Sequence, residues 1–200
     1  VQRLLASGAP VAVSLAPSFA SVWSGWEQRR IPSALRRLGF SHVAETAVGA
    51  FFVAQETLRI VQAAPDRPHI CSACPAVVNY ITHYAPDLVD AITPVVSPML
   101  AHARHIKHML GAEWKVVFIG PCTAKKHEAA WDDAEAVDAV LTFEELSDWL
   151  AANAIDLAGC EESGFDEHPQ GDARFFPLPG GLLRTANLTT DFLEQDHIAV

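Results

Sequence analysis

The chain has 200 residues, half of them hydrophobic, enough for one domain or one and a half with a real core. Its 24 acidic and 14 basic side chains leave a formal net charge of −10, which argues against a nucleic-acid surface, where phosphates call for clustered Lys and Arg. No apolar run approaches the roughly 18–20 residues of a membrane span, and Gly8 and Pro10 break the apolar start instead of leaving a signal peptide. No nucleic-acid or membrane partner is therefore expected, and the expected location is the cytoplasm.

In chain order, VAVSLA at 11–16 is expected as a buried strand, and PSFASVWSGW after it as a helix start. IPSALRRLGF at 31–40 has Pro32 near a helix start and Gly39 at its end. HVAET at 42–46 is the second expected strand. Between 47 and 63, Val48, Phe51, Phe52, Gln55, Leu58, Ile60 and Val61 recur near helical spacing. PHIC at 68–71, KVVFIG at 115–120 and AVDAVLT at 136–142 complete the strands, and the last leads into the helix FEELSDWLAANA. The stretch 159–179, rich in acids, Gly and Pro, reads as loop, and GGLLRTANLTTDFLEQD at 180–196 as a helix that continues beyond the chain. Strands separated by helices of this length predict an α/β fold with a mainly parallel sheet flanked by helices.

There are four cysteines, Cys71, Cys74, Cys122 and Cys160. Without a secretory signal they read as thiols or metal ligands, not disulfides. Pro75 follows Cys74 and favours the first turn of a helix, so Cys74 is expected at an N-cap beyond the strand PHIC. Cys122 follows KVVFI through Gly120-Pro121 and opens the helical pattern TAKKHEAAW. Both thiols would lie beyond the carboxyl ends of parallel strands, the edge where open α/β sheets bind ligands. Helix N-termini favour anions, thiolate-ligated iron–sulfur clusters among them, and Lys125 can add a full charge at the same spot. Half of a zinc site and a thioredoxin-like redox pair remain open alternatives for C-x-x-C. Cys160, in an acidic loop, reads as a bystander.

His102, His105 and His108 recur every third residue, while Met99, Ala103, Ile106 and Leu110 form the apolar stripe. The histidines are therefore read mostly as a solvated face, with adventitious metal binding as the alternative. Trp23, Trp26, Trp114, Trp131 and Trp149 are expected in core and groove packing.

With both cysteine fragments in view, the chain resembles the catalytic domain of iron-only ([FeFe]) hydrogenases. CSACPAV is similar to that family's first motif, T-S-C-C-P-x-W, and GPCTAKKHE to its second, M-P-C-x-x-K-x-x-E. VAVSLAPSF, LRRLGFSHVAET, VNYITHYAPDLVDAITPVVSPM and PGGLLRTA extend the resemblance over nearly all of 8–190, about the first three-fifths of such a domain. The resemblance implies that Cys74 and Cys122 are two of four thiolates holding a [4Fe–4S] cubane linked to a diiron subsite. It implies that Lys125 hydrogen-bonds a cyanide ligand there, and that Ala16, Pro17, Ser97 and Pro98 line the pocket. The implied reaction is reversible oxidation of H2 and reduction of protons, or H2 sensing. The implied partners are electron-transfer iron–sulfur domains or an output signalling domain.

Several positions depart from the family pattern. Ala73 stands where fast members carry a proton-relaying cysteine, and Val53 where an acid of the same relay is usual, although Glu56 remains. Val77 replaces the motif tryptophan, Gly120 the methionine and Met99 a glutamine. Such surroundings resemble the slow, sensory members. No cysteine follows Cys160, so the third motif is missing and residues 1–200 read as the N-terminal portion of the domain. The expectation is that this fragment alone holds no complete cluster. The rival readings are a non-catalytic iron–sulfur or interaction module of the same ancestry, and a thiol oxidoreductase using Cys71 and Cys74.

Overall fold

The computed structural model describes residues 1–131 and 135–187. They fall into two compact units, one formed by residues 1–46 and 102–168, the other by 47–101 and the stretch from Pro169.

The first unit is built on a parallel sheet. Strands β1 (Val11–Leu15), β2 (His42–Glu45), β3 (Lys115–Gly120) and β4 (Ala139–Thr142) lie in the order β2-β1-β3-β4. Val13 pairs with Val43 on one side and Val117 on the other, and Ile119 pairs with Leu141. β1 is buried at all five positions, which is why its sequence runs apolar without alternation. Leu15 and Ile119 are wholly buried, and each contributes about 1.5–3 kcal/mol by leaving water.

Around the sheet lie α1 (Gln2–Leu5), α2 (Gly25–Gln28), α3 (Ile31–Arg37), α7 (Ala124–Glu128) and α8 (Phe143–Ala152). Pro32 lies in the first turn of α3, and Gly39, at φ +108°, turns the chain after it. A capping box starts α8: Glu145 N–H donates to Thr142 Oγ1 at 3.1 Å, and Thr142 N–H to Glu145 Oε2 at 2.7 Å. Trp23 packs edge-on against Phe143 and Phe40 against Trp149, as the tryptophan reading expects. Trp26 departs from it and lies exposed beneath Arg30.

The second unit is helical, with α4 (Ala47–Ala63), α5 (Pro75–Tyr84), the first turn of α6 (Pro98–Leu110) and α9 (Gly181–Thr185). The helix read over 47–63 is α4 at those bounds, and the face it buries is Ala47, Val48, Gly49, Ala50, Val53, Ala54 and Thr57, whereas Phe52 is 41% exposed. Small side chains are selected because α9 and the turn Ala173–Phe175 pack directly on α4. The glycine pair serves the same close packing. Gly180 adopts φ +70°, and a Cβ on Gly181 would lie 2.0 Å from the Phe175 carbonyl oxygen. Of the helix expected over 180–196, Gly181–Thr185 is seen, and 188–196 lies outside the described residues.

Segment 68–71 is not the expected strand. Ile70 makes one parallel bridge to Ile92, with Ile70 N–H donating to Ala91 O and Thr93 N–H to Ile70 O. Pro68 and Pro94 have no N–H to extend the ladder. No helix among the described residues is long and apolar enough to cross a membrane.

Candidate functional site

In the first unit, Ala16 and Pro17 follow β1, and Cys122 follows β3. Because the two strands are parallel neighbours, these residues leave the sheet at the same edge. Ala16 N–H donates to Ile119 O at 2.8 Å, fixing it beside the end of β3. A Cβ on Gly120 would stand 3.1 Å from the Ala16 Cβ and 2.7 Å from the Phe118 ring, so the family's methionine would require that ring to swing. Cys122 is half-buried and lies one residue before Thr123, the N-cap of α7, rather than at the cap itself. Lys125 N–H donates to Cys122 O at 3.2 Å. The Lys125 ammonium is paired: Nζ donates to Glu128 Oε2 at 2.6 Å, and Glu128 is 2% exposed.

In the second unit, Cys74 is the N-cap of α5, with extended backbone at φ −102° and ψ 108° and Pro75 in the first turn. Its carbonyl accepts from Val78 N–H at 3.1 Å, and its thiol is exposed. The preceding loop is hooked to another: Ser72 Oγ donates to Val95 O and lies 3.4 Å from Thr93 Oγ1. Ser97, 2% exposed, comes two residues after Val95, and Pro98 opens α6. The hook thereby puts Cys74, Ser97 and Pro98 on one tied pair of loops. Ala73 is half-buried in that loop, and Val53 is buried on α4.

All four cysteines are thiols. Cys160 is buried, receiving Arg37 Nη1 at 3.4 Å and donating to Asp156 O at 3.4 Å, which gives it a packing place. No group of three or more His, Cys, Asp or Glu among the described residues is arranged to hold a metal ion. The roles of two residues escaped the sequence reading. Glu128 was signalled by its spacing of three from Lys125, and the buried His102 by Ser14, a polar residue inside an apolar strand that needs a partner. His102 corrects the solvated-face expectation: it is wholly buried, with Nδ1 2.8 Å from Ser14 Oγ, while His105 is half-buried and His108 exposed.

The family model for the iron-only hydrogenase large subunit, C-terminal domain, matches residues 9–199. The NADP-reducing hydrogenase subunit HndD of Solidesulfovibrio fructosivorans is 30% identical over 182 residues, covering 78% of this chain and 31% of that protein. Iron hydrogenase 1 of Clostridium pasteurianum is 29% identical over 189 residues, covering 84% of this chain and 33% of that protein. Among solved structures, an apo variant of the [FeFe]-hydrogenase HydA1 of Chlamydomonas reinhardtii superposes with a TM-score of 0.71 at 25% identity. The superposition covers 83% of this chain and 50% of that one. The chain thus spans about a third of the length of these curated relatives.

Proposed function

This chain belongs to the iron-only hydrogenase large-subunit family, and from that premise we propose that it supplies Cys74 and Cys122 as two of the four thiolates of a [4Fe–4S] cubane with a diiron subsite. The donor chemistry fits half of such a site. Both residues carry thiols, and Cys74 sits where the unpaired N–H groups of α5 favour an anionic group. When bound, the cluster supplies the redox chemistry by which hydrogen is split heterolytically or formed. Ala16, Pro17, Ser97 and Pro98 wall its pocket and exclude water, and Lys125 donates a hydrogen bond to a cyanide ligand. Glu128 positions Lys125 by pairing with its ammonium. The remaining thiolates belong to the rest of the domain in the parent protein, which exchanges electrons with iron–sulfur domains or reports to an output domain in the cytoplasm.

The observation that carries this reading is the second motif's local geometry: Cys122 directly beyond β3, with Lys125 one turn later against a buried carboxylate. We further propose slow turnover suited to sensing. The Ala73 side chain has no proton to relay, and Val53 is a buried hydrocarbon side chain. Positioned proton transfer commonly contributes about 10²–10⁴-fold to rate. The test is hydrogen evolution by the full-length protein at equal cluster loading, alongside Ala73→Cys, Val53→Glu and the double variant. The single changes should recover part of the rate, and the double variant more than their sum in activation free energy. A parent already as fast as the double variant would show that protons reach the site by another route.

A further inference from the structure

Cys71 has no place among the proposed cluster ligands. The second unit holds two cysteines, Cys71 and Cys74, and both are thiols. The backbone between them makes one tight turn, with Ser72 and Ala73 at its corner and the two cysteines at its ends. Such a turn brings its end residues within about 7 Å between Cα atoms. A disulfide usually spans about 4.4–6.8 Å between Cα atoms, so a bond here asks for side-chain rotation and little backbone movement. The spacing also separates this chain from the T-S-C-C-P motif, whose two cysteines are neighbours. Neighbouring Cα atoms lie about 3.8 Å apart, short of the usual disulfide range. With Ala73 and Cys71, the chain exchanges a pair outside that range for a pair within it.

The turn is held from both sides and at its corner. Ile70 N–H donates to Ala91 O at 2.7 Å, and Ile70 O accepts from Thr93 N–H at 2.9 Å. The Ser72 hydroxyl donates to Val95 O. Cys74 is fixed as the N-cap of α5, with Pro75 behind it and Val78 N–H donating to its carbonyl. Anchors at 70, 72 and 74 therefore set the turn before any bond forms, which spares the entropy of ordering the loop at closure. The two thiols differ in access. Cys74 is exposed and Cys71 half-buried, so an oxidant in water meets Cys74 first and Cys71 stands behind it.

We propose that Cys71 and Cys74 form a site of reversible oxidation: in the protein without its cluster, hydrogen peroxide converts the pair to a disulfide that withholds Cys74 from the cluster and spares it irreversible oxidation. The withholding rests on the reading of Cys74 as a ligand, whereas formation of the bond does not. The Cys74 sulfur attacks one peroxide oxygen, the O–O bond breaks, and one water leaves behind a sulfenic acid. The Cys71 sulfur then attacks the Cys74 sulfur, the S–O bond breaks, and the hydroxyl leaves as a second water. Two thiols thus give up two electrons and two protons, and the peroxide becomes two waters. A dithiol reductant reverses the bond, the transient kind of disulfide that a reducing compartment tolerates. Without Cys71, the sulfenic acid goes on to sulfinic acid, which thiols do not reduce.

The test uses the full-length protein prepared without its cluster, reduced, treated with hydrogen peroxide and quenched by alkylation. Peptide mass spectrometry should find Cys71 joined to Cys74, the buried Cys160 still a thiol, and both partners restored by dithiothreitol. Cys122→Ser should form the same bond. Cys71→Ser should instead lose Cys74 to sulfinic acid that dithiothreitol does not recover, and Ser72→Ala, which frees the turn, should slow closure severalfold. Transfer of iron from a preassembled [4Fe–4S] donor should be lost in the oxidised protein and return on reduction. Equal loss of Cys74 to sulfinic acid with and without Cys71 would overturn the inference while leaving ligation by Cys74 standing. So would a disulfide joining Cys74 to Cys122 in place of Cys71. A Cys71–Cys74 disulfide with cluster transfer unchanged would overturn the withholding, together with the ligand reading beneath it.

Discussion

Cys122 and Cys74 stand in surroundings of opposite kind. Cys122 is half-buried at the end of a strand with parallel neighbours on both sides, backed by a buried Lys–Glu pair. Cys74 is exposed on a helix N-cap, in a loop held by the hydroxyl hook of Ser72 and a single backbone bridge. The first position depends on strand register, contacts made over a hundred residues apart along the chain. The second depends on Pro75 next to it and on two ties to the segment 92–95. Damage to the sheet should therefore reach Cys122 and leave Cys74 alone, whereas loop substitutions should move Cys74 with little loss of global stability.

Substitutions graded by expected effect sharpen this contrast. Ile119→Ala removes a wholly buried side chain one residue from the end of β3 and should cost about 2–5 kcal/mol in urea unfolding, while raising the reactivity of Cys122 toward a thiol reagent. Glu128→Ala leaves the Lys125 ammonium, 12% exposed, without this partner and should cost about 2–3 kcal/mol. Glu128→Leu with Lys125→Met should restore much of that loss. Ser14→Ala strands His102 Nδ1 and Thr46 Oγ1 in the buried unit and should cost about 1–2 kcal/mol in the same assay. Ser72→Ala should cost under about 1 kcal/mol globally and show instead as faster amide exchange at 70–74. A Ser72→Ala loss as large as that of Ile119→Ala would remove the distinction between the two thiol positions.

The sheet was legible because its strands are continuous apolar runs punctuated by Gly and Pro, and the four at 11–16, 42–46, 115–120 and 136–142 all appear within a residue or three of their expected bounds. Segment 68–71 misled because a β-like run says nothing about its partner, and here Pro94 ends the ladder after one bridge. Helix α4 was legible at its bounds, whereas the small-residue face it buries was not. Close packing of α9 selected Ala and Gly and left Phe52 outside. The cysteine motifs were legible as a family resemblance, whereas the histidine cluster around Glu167 was not legible. His42, His102 and Glu167 are far apart in sequence, and only the Ser14 in β1 hinted that a polar partner had to be buried opposite.

The central claim is that Cys74 and Cys122 ligate one cluster. Its most direct test is electron paramagnetic resonance, with iron and acid-labile sulfide content, on the full-length protein assembled with its cofactor and compared with Cys74→Ser, Cys122→Ser, Cys71→Ser and Cys160→Ser. The account predicts that the first two each abolish the reduced [4Fe–4S] signal of the active-site cubane and lose its iron, while Cys71→Ser and Cys160→Ser retain both. An unaltered cubane signal in either Cys74→Ser or Cys122→Ser would contradict it.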